Sequence, residues 1–185
     1  VSALFAMLNK KVTSNELLKS SYCHNVTLLK GSLCTISNKE WLALKSNKNK
    51  NLDNFTSKNY KDDRFTEREC VFIDNYFANV VDMLADRPID SAIAHSVLMQ
   101  YIMSSCYVGG RLNSGQIVAN LQHRLSHKRN QNKEINFQKM PLKYLCTPTA
   151  ESVCVQSDAI DFLQNNKQFD LVYVDPPYGG GQSDY

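Results

Sequence analysis

No run of apolar residues in this 185-residue chain approaches the roughly 20 needed to span a bilayer. The apolar start, Val1 to Leu8, lacks the charged leader and cleavage pattern of a signal peptide. No two of the six cysteines (Cys23, Cys34, Cys70, Cys106, Cys146 and Cys154) form a C-x-x-C pair, so a zinc site has no spacing support. No internal repeat is evident. A strong excess of charge is also missing. The net charge of +3 permits a nucleic-acid partner without arguing for one, and any basic surface must come from local clustering.

What remains is globular by composition, with 43% hydrophobic and 21% charged residues. The length suits one domain, or one domain carrying an insertion, and allows a sizeable core. The cysteines then read as reduced thiols of a cytoplasmic protein. Cys23-His24 is adjacent but unaccompanied, and reads as structural rather than as a metal pair. No metal is expected.

Along the chain, residues 2–9 read as a helix end and residues 11–15 as a short strand closed by Glu16. Residues 17–30 carry Leu17, Leu18, Tyr22, Val26 and Leu29 near helical spacing. Residues 45–63, rich in Lys, Asn and Asp, read as a loop. Thr66-Glu67-Arg68-Glu69 fits a capping box, with Ile73, Phe77, Val80, Val81 and Leu84 following at helical spacing. Pro88 should break this pattern, and Asp90 should cap a second helix that ends at Gly109-Gly110. A third helix is expected over residues 114–126.

The last part changes character. Residues 152–156 read as a strand, residues 159–164 as the start of a helix, and Phe169 to Val174 as a second strand apolar enough to be buried on both faces. Strand, helix, strand implies a parallel sheet. Three acidic residues share one position: Glu16, Asp158 and Asp175 each follow a strand. In a parallel sheet they line the carboxyl edge, where open α/β sheets bind ligands. Singly, each is as well explained as a helix cap or turn residue. Asp175-Pro176-Pro177-Tyr178 is more informative, because two prolines can neither continue a central strand nor enter a helix interior. They make a rigid corner that fixes the Asp175 carboxylate and the Pro176 carbonyl, with the Tyr178 ring beside them.

The run F-D-L-V-Y-V-D-P-P-Y resembles the signature of amino-directed nucleic-acid methyltransferases, in particular the adenine-specific, restriction-modification type. The resemblance covers most of the chain. It implies an α/β fold: a partial Rossmann-like sheet that binds S-adenosylmethionine, interrupted by a mostly helical insertion. Residues 1–30 and 147–185 would be parts of the catalytic domain, and residues 31–146 the insertion and candidate target-recognition region. By the same resemblance Glu16, in V-T-S-N-E-L-L, holds the ribose hydroxyls of the cofactor. Asp158, in S-D-A, lies beside its adenine, and Asp175 also faces it. Asp175, Pro176, Pro177 and Tyr178 carry the catalysis. The F-T-E-R-E segment at residues 65–69 also looks like the family's insertion.

The chemistry accounts for these residue types. An exocyclic amino nitrogen is a poor nucleophile, because its lone pair is delocalised into the ring. Two acceptors, the Asp175 carboxylate and the Pro176 carbonyl, would take its two N–H bonds and favour a pyramidal nitrogen. Tyr178 would stack on a base flipped out of double-stranded DNA.

The chain departs from the family in two places. It starts with Val1, after the point where a glycine loop of F-x-G-x-G type would end, and it stops shortly after D-P-P-Y. A piece of a longer protein, inactive alone, is therefore expected. Candidate phosphate contacts are Lys45, Lys48, Lys50, Lys58 and Lys61, interleaved with Phe55 and Tyr60, and a second group of Arg124, His127, Lys128, Arg129 and Lys133. Arg111 is a weaker candidate, and Trp41 reads as packed. The resemblance also implies a cognate restriction endonuclease as partner. The alternatives are methylation of an RNA base, methylation of a cytosine amino group, and a truncated, non-catalytic nucleic-acid-binding module.

Overall fold

The structure is a computed structural model that describes residues 1–47, 53–106, 135–140, 151–166 and 168–175. Helix α1 (Ser2–Met7) leads to strand β1 (Thr13–Glu16) and helix α2 (Lys19–Lys30). Helices α3 (Asn38–Leu44), α4 (Phe55–Tyr60), α5 (Glu67–Leu84) and α6 (Pro88–Cys106) follow. After a 3-10 turn at Phe137–Lys139 come strand β2 (Val153–Gln156) and helix α7 (Ala159–Asn165).

The core lies among the helices. On α5, Cys70, Ile73, Tyr76, Val80 and Leu84 recur at helical spacing and are all buried. On α6, Ala92, Ile93, Ala94, Val97 and Leu98 are buried with little regard to face. That is the signature of a helix enclosed by neighbours, and α6 packs against both α2 and α5. Trp41 and Leu44 of α3 complete the cluster, as does Phe137, whose ring stacks on Phe72 with centroids 4.0 Å apart.

Local rules set the helix starts. The Thr66 hydroxyl accepts from the Glu69 amide while the Glu69 carboxylate accepts from the Thr66 amide, the expected capping box. Ser37 and Glu40 form a second one at α3 that the sequence reading passed over. Each such cap contributes roughly 1 kcal/mol.

Several expectations are corrected. The helical pattern does break between Leu84 and Pro88, but the second helix starts at Pro88 itself, where the missing N–H costs nothing, and not after an Asp90 cap. Asp90 sits inside the first turn and is spent elsewhere. It accepts from the Thr35 amide and hydroxyl at 2.8 and 2.6 Å, and from Arg87. Residues 45–63 are not all loop, since α4 lies within them. Its N-cap Asn54 makes no capping bond. The buried Asp74 carboxylate on α5 does this from across the chain, accepting from the Thr56 and Ser57 amides. Such a cap is invisible to a local pattern. Leu17, Leu18 and Val81 are exposed rather than inward.

The largest correction concerns Phe169 to Val174. This run is not a strand, and its large apolar residues are between 38 and 67% exposed. Among the described residues the sheet has two strands, β1 and β2, and residues 171–175 take no part in it. The third helix expected over residues 114–126, and the glycine pair after α6, lie outside the described residues.

Candidate functional site at the carboxyl edge of the sheet

Strands β1 and β2 are parallel, with Thr13 opposite Val153 and Glu16 opposite Gln156. Their carboxyl ends therefore share one edge. Glu16 is the last residue of β1, and Asp158 follows β2 by two residues. The sequence-based placement of these two acids on one rim is what the register produces.

The edge is tied together beyond the last ladder bond. The Asn15 carboxamide donates to the Ser157 carbonyl at 3.0 Å and accepts from the Ser157 amide and hydroxyl at 3.1 and 2.9 Å. A side chain thus extends the strand pairing by one residue. Gln156 donates to the Leu17 carbonyl at 3.2 Å. Asn25 on α2 donates to Ser14 Oγ at 2.8 Å and to Glu16 Oε1 at 3.1 Å. Asn15, Asn25 and Ser157 were not singled out as site residues in the sequence. The one available signal was Asn15 itself, since Asn is depleted in strands.

Glu16 is half-buried, with one oxygen held by Asn25. Asp158 is exposed and caps α7, accepting from the Ile160 and Asp161 amides at 2.8 and 3.3 Å through one oxygen, Oδ1. The cap explanation thus holds for Asp158, but it occupies only half of the carboxylate. Asp175 is exposed at the end of the unpaired run, and the structure does not bring it to the rim through a strand. Pro176, Pro177 and Tyr178 lie outside the described residues.

The lysine candidates divide. Lys45 is not a surface phosphate contact. It is buried, its Nζ donates to the Met140 carbonyl at 2.7 Å, and burial lowers its pKa. Lys58 and Lys61 are partly to largely exposed and lie near Asp53 and Glu67, at 3.9 and 3.0 Å. Phe55 and Tyr60 are exposed and meet edge to face. Lys48, Lys50, Arg111, Arg124, His127, Lys128, Arg129 and Lys133 lie outside the described residues. Trp41 is buried, as expected. His24 bonds to Gln100 while the neighbouring Cys23 is buried, and no group of three metal-ligating side chains occurs among the described residues. Nor, among them, is any helix long and apolar enough to cross a membrane.

In comparisons with known proteins, no family model, curated protein or solved structure matches this chain.

Proposed function

We propose that this chain belongs to an enzyme that transfers a methyl group from S-adenosylmethionine to the exocyclic amino group of adenine in DNA. The observation that carries the reading is the parallel register that sets Glu16 and Asp158 on one carboxyl rim, followed after α7 by the run into Asp175-Pro176-Pro177-Tyr178. Open α/β sheets bind their ligands at such a rim.

The residues present fit the cofactor. Glu16 Oε1 is engaged by Asn25, which aims the carboxylate and leaves Oε2 to accept from a pair of ribose hydroxyls. Asp158 Oδ1 is engaged by the start of α7, and its Oδ2 remains to accept from an amino group. The Asn15–Ser157 bonds hold the two strand ends at a constant separation, so both acceptors are preorganised. The bound cofactor supplies an electrophilic methyl group. The protein positions the amino nitrogen: the Asp175 carboxylate and the Pro176 carbonyl accept its two N–H bonds, and Tyr178 stacks on the flipped base. Catalysis is then mainly positioning and electrostatics.

In this reading the fold is Rossmann-like, and residues 169–174, which pair with neither strand in this structure, would have to dock as a further parallel strand on the β1 side for the site to be complete. Helix α7 already packs against β1, so the chain leaves α7 on that side. A right-handed crossover would carry Asp175 to the rim shared by Glu16 and Asp158. The helical region would serve target recognition, in a cytoplasmic restriction-modification setting with a cognate endonuclease.

The test is labelled methyl transfer by the full-length protein, compared on DNA and RNA. Asp175→Ala should lower turnover on DNA by at least about a hundredfold, with DNA binding largely kept. Retained turnover would refute the assigned role. A non-catalytic nucleic-acid-binding module is the second reading, and the exposure of residues 169–175 favours it. Cofactor and DNA binding without methyl transfer by the full-length protein would select it.

A further inference from the structure

Away from the sheet rim, a pocket of about 430 Å³ opens between the start of α5 and residues 135–140. Asn47, Arg68, Glu69, Phe72, Asn136 and Gln138 line it. One wall is aromatic, formed where Phe72 stacks on Phe137. The rest is three carboxamides, two charged side chains and Ile135.

The floor of this pocket is held unusually firmly for so short a segment. The buried Glu69 carboxylate accepts from the Ile135 amide at 2.6 Å. The buried Lys45 ammonium donates to the Met140 carbonyl at 2.7 Å and reaches the Gln138 carbonyl at 3.4 Å. The Tyr101 hydroxyl donates to the Asn136 carbonyl at 2.6 Å. Two buried charges and a phenol thus grip the backbone of one six-residue stretch, although burying a charge is costly. Packing alone would be met more cheaply by apolar side chains. What the grip secures is the position of two exposed amide residues, Asn136 and Gln138.

Asn136 Oδ1 accepts from the Gln138 amide at 3.2 Å, which fixes the Asn136 carboxamide. Among the described residues, the Asn47 and Gln138 carboxamides make no hydrogen bond. Carboxamides beside an aromatic wall match the donor–acceptor edge of a purine, and Asn and Gln pair bidentately with adenine.

We infer that this pocket reads one base of the DNA target through Gln138 and Asn47, with adenine the preferred base. The Gln138 carboxamide donates to one purine acceptor and accepts from the amino group. Asn47 and Asn136 complete the edge. This inference rests on the proposed action on DNA, but it concerns selection of the site and not methyl transfer.

The experiment uses the full-length protein with S-adenosylmethionine and a library of randomised duplexes, sequencing the methylated products. Gln138→Ala should reduce discrimination at one position of the site by between about fivefold and about 150-fold, the worth of one bidentate pair. Gln138→Glu replaces a donor and acceptor by acceptors alone. It should move the preference at that same position toward cytosine, whose amino group only donates. A change of base preference is a readout that a merely structural role for Gln138 would not produce. If both variants keep the wild-type preference at every position, the pocket is not a reader and the methyltransferase reading stands. If the wild-type protein neither binds nor methylates any duplex, both readings fall together.

Discussion

The α6 run Ala92 to Leu98 and the run Phe169 to Val174 are both short apolar stretches with one polar interruption or two, yet one is buried and the other stands in solvent. The difference lies in the backbone. A helix satisfies its own amides and carbonyls and needs neighbours only for its side chains. A strand must find another strand's edge for its backbone before burial becomes favourable. The helical region meets its needs with α2, α5 and α6 against one another. In the sheet region β1 pairs with β2 among the described residues, and the apolar run is docked on the open edge of neither strand, so it gains no ladder bonds that would favour its burial.

The sharpest way to break this comparison is a matched pair of truncations. Leu98→Ala removes a fully buried side chain and should destabilise the protein by about 2–5 kcal/mol. Val172→Ala, at a position half exposed, should change stability by no more than about 0.5 kcal/mol. Urea unfolding followed by the fluorescence of Trp41, the one tryptophan, measures both. Equal losses would mean that the 169–174 run is packed in solution.

A smaller effect belongs to the polar grip within the helical region. Glu69→Ala strips the α5 cap and leaves the Ile135 amide without its acceptor. A loss of about 1.5–3 kcal/mol is expected, in the range of a hydrogen bond to a charged group. The amide of Ile135 should also exchange with solvent much faster, while amides of β1 and β2 keep their rates. Uniform acceleration would show that the two regions unfold as one.

The mildest prediction concerns pH. Hydrogen bonds from the Ser37 amide and hydroxyl, and then from Arg87, hold the Glu40 carboxyl down at about 2. Its unfolded value is about 4.3. A carboxyl lowered by folding adds stability that is complete above the unfolded value and is lost as pH falls through the folded one. Melting temperature should therefore drop between about pH 5 and pH 2. Glu40→Gln should flatten part of that drop; an unchanged profile would show that Glu40 is not among the groups responsible.

Legibility from sequence followed the range of the interaction. The Thr66–Glu69 capping box and the order β2 then α7 were readable, because each rests on neighbours a few residues apart, and the burial of Trp41 followed from its large apolar ring. The Asp74 cap on α4 and the Lys45 grip on Met140 were not, since they join residues 18 and 95 positions apart. At the candidate site, Glu16 and Asp158 were placed on one rim by assuming parallel strands. Their locks, Asn25 and the Asn15–Ser157 pair, were missed. The latter spans 142 positions, and no local pattern announces it.

The amino-acid order by itself determined the capping box at α5, which face of α5 is apolar, and the order of a β-prone stretch and then an acid at Glu16 and Asp158, because backbone geometry and short-range capping decide these within a turn or two. Only the tertiary structure decided that β1 and β2 pair in register, that Lys45 and Glu69 are buried, and that the run into Asp175 is left outside the sheet. Each of these depends on partners brought together by folding, and a backbone edge or a buried charge is favourable only when its partner is there.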